Sequence, residues 1–309
     1  MNALQMLFMI SFAFFCNKNV SAMRKLFPPQ NLTNVDKDLL QAAAYGNAGQ
    51  VRWCLSLGAN ANANDDDGNT PFITAASRGH TDVIDVLLDN ASPEQRMAAL
   101  CAAAQFGYTN VVKQLLPKVL RAEKSTIGKF FRGAKRKIGA YFAGAEDATT
   151  PLMLACEYGH PDIVQVLLAS TEDVTINNQE SSGLTALMLA CKGAYQNPDP
   201  ITMNSTVSKL LNAAADVNKQ DNKGWTALMY AVNSNCLETV TTLLEVEKID
   251  LSLPNKSKST ALDIARTKEI RLRDISQPGK KETDPIKASA KAQNAKIISL
   301  LERKLAGIE

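Results

Sequence analysis

Thr70-Pro71-Phe72-Ile73-Thr74-Ala75-Ala76-Ser77-Arg78-Gly79-His80 runs on through Val83-Ile84 to Leu87-Leu88, and the phrase returns downstream at the same offsets. Thr150-Pro151-Leu152 is followed by Ala155, Gly159-His160, Ile163-Val164 and Leu167-Leu168. Thr185-Ala186-Leu187, Thr226-Ala227-Leu228 and Thr260-Ala261-Leu262 open three more copies. A phrase recurring with a period in the thirties marks a stacked array of small helical units, each burying its apolar face on its neighbours. Such an array needs no single deep core, so 309 residues at 45% hydrophobic content need not divide into globular domains.

Two further units are more degenerate. One, near Val35 to Leu55, keeps Ala42-Ala43, Gly46-Asn47 and Cys54-Leu55; the other keeps Ala103-Ala104, Gly107 and Leu115-Leu116 but lacks the Thr-Pro start. Each landmark has a physical role. Threonine caps the free N–H groups at a helix start, and proline fits the first turn because its missing N–H would be unpaired there. Alanines let one helix lie close to the next. Gly79, Gly107 and Gly159 suit the left-handed residue that ends a helix, and Asn235 fills that slot in the sixth unit.

The recurring Thr-(Pro/Ala)-(Leu/Phe)-x-x-Ala, the Gly-His pair and the Leu-Leu pair resemble the ankyrin repeat, whose signature is T-P-L-H-x-A followed by Gly-His and a Leu-Leu pair. The resemblance covers Val35 to the C-terminus. It implies an all-α ankyrin-repeat solenoid of about seven helix-turn-helix units joined by β-hairpin fingers, the segment Ala59 to Gly68 being one such hairpin. Repeats 1–3 then occupy residues 35–118 and repeats 4–7 residues 149–309, with 23–34 as an N-terminal linker. Departures from the period mark individuality. The hairpin before the third repeat is truncated, residues 119–148 are an insertion, and further loop insertions fall near 196–205 and 269–291.

Leu4 to Cys16 is an apolar run followed by Val20-Ser21-Ala22, the pattern of a signal peptide over residues 1–22 cleaved near Met23. It is too short to span a bilayer, which takes about 20 apolar residues. The expected location is therefore exported, periplasmic or secreted; without such processing it is cytoplasmic. Asn31-Leu32-Thr33 and Asn204-Ser205-Thr206 are glycosylation sequons that matter only in a eukaryotic secretory route. Beyond Cys16 the chain has Cys54, Cys101, Cys156, Cys191 and Cys236, an odd number with no C-x-x-C pair, which fits small buried hydrophobes better than a disulfide framework or a zinc site.

The same sequence excludes much chemistry. The net charge of +3 implies no nucleic-acid partner. His80 and His160, the two histidines, both hold the repeat's Gly-His position, where turn and inter-repeat hydrogen bonds occupy them. No metalloprotease helix, phosphate loop or serine elbow is present, and Asp65 to Asp67 lacks the glutamate that completes a calcium loop. The expectation is a monomeric, non-catalytic protein with no cofactor, no metal and a protein partner.

The resemblance implies that binding uses the hairpin tips and the concave ends of the inner helices. There the variable position before glycine carries Tyr45, Arg78, Phe106 and Tyr158, residue types that dominate interface energies. Trp225 sits at a hairpin position expected to point outward, and Asp66, Asp67 and Lys223 complete a polar rim. The plainer alternative is that the tyrosines pad neighbouring helices. The insertion suggests a second role. Lys118 to Lys137 holds eight basic residues against Glu123 alone. Lys129, Phe130, Phe131, Arg132, Lys135, Arg136, Lys137, Tyr141 and Phe142 would give a basic amphipathic helix suited to an anionic membrane, as in an effector or toxin-like protein. The competing reading packs its apolar stripe on the outer helices.

Overall fold

The computed structural model describes residues 32–122, 149–170, 176–193, 200–274 and 285–308. These hold fourteen α-helices that pair into seven units. The first three pairs are α1 (Leu32–Ala44) with α2 (Ala48–Ser56), α3 (Pro71–Ala76) with α4 (Thr81–Leu87), and α5 (Pro93–Phe106) with α6 (Thr109–Ala122). The next two are α7 (Pro151–Glu157) with α8 (Pro161–Ser170), and α9 (Ala186–Gly193) with α10 (Pro200–Asn212). The last two are α11 (Ala227–Ser234) with α12 (Leu237–Leu244), and α13 (Ala261–Asp274) with α14 (Pro285–Leu305). Odd-numbered helices stack in an inner row, even-numbered ones in an outer row, and each pair packs within itself. This is the solenoid that the period predicts.

The stacking follows from side-chain size. Ala42-Ala43, Ala75-Ala76, Ala103-Ala104, Ala155-Cys156 and Ala190-Cys191 are all fully buried between inner helices. Behind them Val83-Ile84, Val111-Val112 and Ile163-Val164 fill the space between the two rows. Burying each such branched side chain contributes about 1.5–3 kcal/mol. The five described cysteines are free and buried, and desolvation pushes the Cys101 thiol up to about 12. Cys101, Cys156 and Cys191 are therefore expected to resist a thiol reagent in the folded chain and to react on unfolding; labelling across a urea series checks this.

Inner helices start as their sequence dictates. The hydroxyl oxygens of Thr150, Thr185, Thr226 and Thr260 accept the N–H three residues on, at 3.1–3.3 Å. The third repeat solves the problem differently. Ser92 and Gln95 form a reciprocal capping box ahead of Pro93, and α5 begins a full turn earlier than its counterparts. The missing finger is thus replaced by added helix.

Several expectations change in detail. The fingers are not β-hairpins, since no strand occurs among the described residues. Each is one tight turn whose arms are joined by a single backbone bond: Asp65 N–H to Asn69 O, Glu180 to Leu184, Asp221 to Trp225 and Asn255 to Ser259, all at 2.9–3.0 Å. The residue after each closing position, Thr70, Thr185, Thr226 or Thr260, already caps the next inner helix, which leaves no arm for a ladder. The linker expected over 23–34 ends early, because α1 begins at Leu32. The loop expected near 196–205 is shorter, since Pro200 occupies the first position of α10, where its fixed φ suits a helix. Likewise 269–274 continue α13 and 285–291 belong to α14, so these parts of the loop expected near 269–291 are helical; the rest of it lies outside the described residues. Residues 119–122 belong to α6. The rest of the insertion and the signal-like segment lie outside the described residues. The insertion does not separate the array: α5 packs on α7 and α6 on α8, so repeats three and four stack directly.

Candidate functional site

The Gly-His position builds the frame of the inner face. His80 lies over Gly46, Tyr108 over Gly79 and His160 over Gly107, so that a Cβ on these glycines would meet a ring atom at 2.6, 2.4 and 2.7 Å. The Nε2–H of His80 donates to the Ala44 carbonyl at 3.1 Å, and that of His160 to the Gln105 carbonyl at 2.9 Å. A carbonyl only accepts, which fixes these tautomers. Repeats two and four thus each cap an orphan carbonyl at the end of the preceding inner helix.

On this frame the four variable positions form one row across repeats one to four. Tyr45 follows α1 and is 73% exposed; Phe106 ends α5 at 43%, and Tyr158 is the C-cap of α7 at 40%. Arg78 is exposed along its length, yet its guanidinium donates to Ala44 O at 3.1 Å, beside His80. Tyr45 and Arg78 are thereby neighbours. Phe106 and Tyr158 are also neighbours, because Gln105 Nε2–H donates to the Tyr158 hydroxyl at 3.1 Å. The row presents two phenol rings, a phenyl ring and a cation held by hydrogen bonds rather than free to wave. Tyr158 is thus positioned as well as exposed.

The remaining candidates lie on two separate fingers. Asp66 and Asp67 are exposed at the tip of the second-repeat turn, with the Asp67 N–H donating to Asp65 Oδ1 at 3.1 Å. Lys223 and Trp225 share the sixth-repeat turn. Lys223 is exposed, whereas Trp225 departs from the outward orientation expected of it. Its ring is half-buried and tilted against Tyr230, centroids 5.1 Å apart, and it packs on the core. The cause is Asp221. This buried carboxylate accepts the N–H groups of Lys223 (2.8 Å) and Trp225 (2.7 Å) and the Tyr230 hydroxyl (2.6 Å), drawing the turn onto the inner helix. Burial, with this bond, pushes the Tyr230 phenol well above its ordinary value.

Sequence reasoning passed over three features of this face. Gln105 orients Tyr158, Tyr108 substitutes for histidine as a stacking ring, and Glu157 sits half-buried beside Tyr158. The paired positions before each glycine were the available signal, since Gln105 and Glu157 both occupy the first of them. Desolvation raises the Glu157 carboxyl, opposed by Lys192 and helped by Glu180. A raised carboxyl favours the protonated form in the folded state, so its stabilising share is present below the unfolded value and lost as pH rises through the folded one. Glu157→Gln is therefore expected to raise the melting temperature at pH 7 and to leave it nearly unchanged at pH 4, which scanning calorimetry at both values checks.

Among the described residues no group of His, Cys, Asp or Glu could hold a metal ion, and no helix is long and apolar enough to cross a membrane. The basic and aromatic candidates from Lys129 to Phe142 lie outside the described residues.

Comparison with known proteins matches this geometry. The family model described as "Ankyrin repeats (3 copies)" matches residues 39–127, 131–198 and 201–275. Among curated proteins, the ankyrin repeat and KH domain-containing protein mask-1 of Caenorhabditis elegans is 27% identical over 242 residues, 77% of this chain but 8% of that protein. The ankyrin repeat protein nuc-2 of Neurospora crassa is 26% identical over 79% of this chain and 21% of its own length. The chain therefore spans about a fifth or less of these two relatives. The putative ankyrin repeat protein YahD of Escherichia coli is 27% identical over 65% of this chain and 91% of its own length. Of solved structures, the human ASB11 ankyrin repeat domain aligns at a TM-score of 0.56 and 21% identity, covering 84% of this chain and 96% of that one. The ankyrin repeat domain of Bcl-3, a member of the IkappaB family, aligns at 0.55 and 24%, covering 74% and 92%. With the family model matching well over half of its residues, this chain belongs to the ankyrin repeat family.

Proposed function

We propose that the chain is a non-catalytic scaffold that binds a partner protein through the concave row of Tyr45, Arg78, Phe106 and Tyr158. Ankyrin repeats generally mediate protein–protein interaction, and proteins built of them are typically non-enzymatic scaffolds. One observation carries the finer reading. The four residues stand on adjoining repeats and are exposed, and two of them, Arg78 and Tyr158, are held in place by bonds to Ala44 and Gln105. Rigid aromatics and an arginine lose little conformational freedom on docking, which is what makes such residues anchors. Burying three rings of this kind against a partner excludes water from an apolar strip along four repeats. Asp66, Asp67 and Lys223 belong to the rim of this surface, and Trp225 supports the turn that carries Lys223.

The test replaces the anchors without touching the frame. Immobilised native chain and a Tyr45→Ala/Phe106→Ala/Tyr158→Ala variant are compared for the proteins they retain, identified by mass spectrometry. The expected result is a protein held by the native form and lost by the variant, at a melting temperature within about 2 °C, since exposed positions alter stability little. Equal retention by both forms would overturn the concave reading.

A further inference from the structure

The tips of the fingers of repeats five, six and seven form one hydrogen-bonded edge whose outward charge is positive, the exposed Asp216 and Asp250 lying outside the closing turns. Asn222 N–H donates to Ser182 O at 2.9 Å and Lys256 N–H to Lys223 O at 3.0 Å, joining each turn to the next. Side-chain amides reinforce the seam: Gln179 bridges to Gln220 O, and Gln220 bridges to Gly224 O and Pro254 O, each at 2.9 Å. The acids of these turns face inward. Glu180 accepts from the N–H groups of Ser182 and Leu184, and Asp221 from those of Lys223 and Trp225; both carboxylates are buried. The cations Lys223, Lys256 and Lys258 are what remain in solvent, and none forms an ion pair among the described residues.

Lys258 is the informative residue. Its φ is +60° at the place where the other turns carry Gly68, Gly183 and Gly224, at +79°, +84° and +76°. At two of those glycines a side chain is also excluded by stacking. A Cβ on Gly183 would lie 2.7 Å from Asn222 N, and one on Gly224 would lie 2.9 Å from Lys256 N. The seventh turn is the last among the described residues, and at Lys258 the positive φ itself disfavours a side chain. Lysine there is less stable than glycine would be, and a residue kept in an unfavourable backbone region points to a use for its side chain.

We propose that Lys223, Lys256 and Lys258 dock an acidic segment of the protein partner, a run of Asp and Glu side chains laid along the tips of the sixth and seventh fingers. This rests on the reading of the array as protein-binding and adds the chemistry of what is bound. A peptide matches the extent of the edge: three cations on two adjoining turns suit a few carboxylates, whereas a nucleic acid is held by a long basic track that a chain of net charge +3 does not supply.

The probe is a fluorescein-labelled octaglutamate peptide, titrated with the full chain by anisotropy at 20 and 200 mM salt. We expect saturable binding that weakens steeply with salt, and about tenfold weaker binding by Lys223→Ser/Lys256→Ser/Lys258→Gly, as three exposed ion pairs allow. Lys258→Gly alone is expected to weaken binding while melting no lower than the native chain, which separates loss of a contact from loss of fold. Unchanged affinity in the triple variant, or equally tight binding of an oligothymidylate of the same length, overturns the proposal. The concave variant should bind the peptide normally, so failure at this edge and failure of the concave row are read separately.

Discussion

Gly107→Ala is expected to destabilise the array by about 3 kcal/mol, although it adds one methyl group. Two effects combine. Gly107 has φ +83°, and placing an L residue in that region costs about 1–2 kcal/mol. The new Cβ would also stand 2.7 Å from His160 Cε1, so the ring must move and its 2.9 Å bond to the Gln105 carbonyl is lost. Leaving that carbonyl unpaired costs about 1–3 kcal/mol where water cannot reach it. The damage falls on the seam between repeats three and four, and an array is held together by such nearest-neighbour seams. Trp53 and Trp225 report on the two halves. Urea unfolding followed at each in single-tryptophan variants should coincide in the native chain and separate in Gly107→Ala. His160→Ala in the same chain should shrink the cost of Gly107→Ala to its backbone share; an undiminished cost would show that the ring contact is irrelevant.

Asp221→Ala is expected to cost about 3–4 kcal/mol and to loosen the sixth finger. The carboxylate is 8% exposed and accepts from three donors: the Lys223 and Trp225 N–H groups and the Tyr230 hydroxyl. Removing it orphans all three at once, and hydrogen bonds to a charged acceptor are each worth about 1.5–3 kcal/mol before partial recovery by water. Trp225 would lose its seat against Tyr230, so its fluorescence should shift to the red in the folded state. Asp221→Asn keeps one acceptor oxygen and should fall between the two. Should Asp221→Ala melt like the native chain, the finger is held by its backbone pair and the amide seam alone.

The fold was legible because its determinants are local and repeated. Thr150 and Thr226 announce a capped helix, Gly79 and Gly159 its end, and Asn235 stands at φ +60° in the slot that its offset within the repeat predicts. What the sequence obscured depends on neighbours. The capping box Ser92-Pro93-Glu94-Gln95 stands in plain letters, but it lacks the Thr-Pro start of the other units, so the shortened spacing suggests a truncated hairpin where the chain forms a longer helix. Pro200 and Pro285 looked like loop residues, although each opens a helix. Trp225 was placed outward by its position in the repeat, whereas Asp221 and Tyr230 pull it in. For the candidate face, residue type and offset located Tyr45, Arg78, Phe106 and Tyr158. The bonds of Arg78 to Ala44 and Gln105 to Tyr158 come from contacts 34 and 53 residues apart, which no local pattern reveals.

The most direct measurement of the central claim is site-specific photo-crosslinking. A benzophenone amino acid is placed at position 158 on the concave row, or at position 53 on the outer helix of the first repeat, and the full chain is irradiated with its captured partner. A covalent adduct formed from position 158 and not from position 53 is the predicted result. An adduct from position 53 with none from position 158 would place recognition on the outer face and contradict the account.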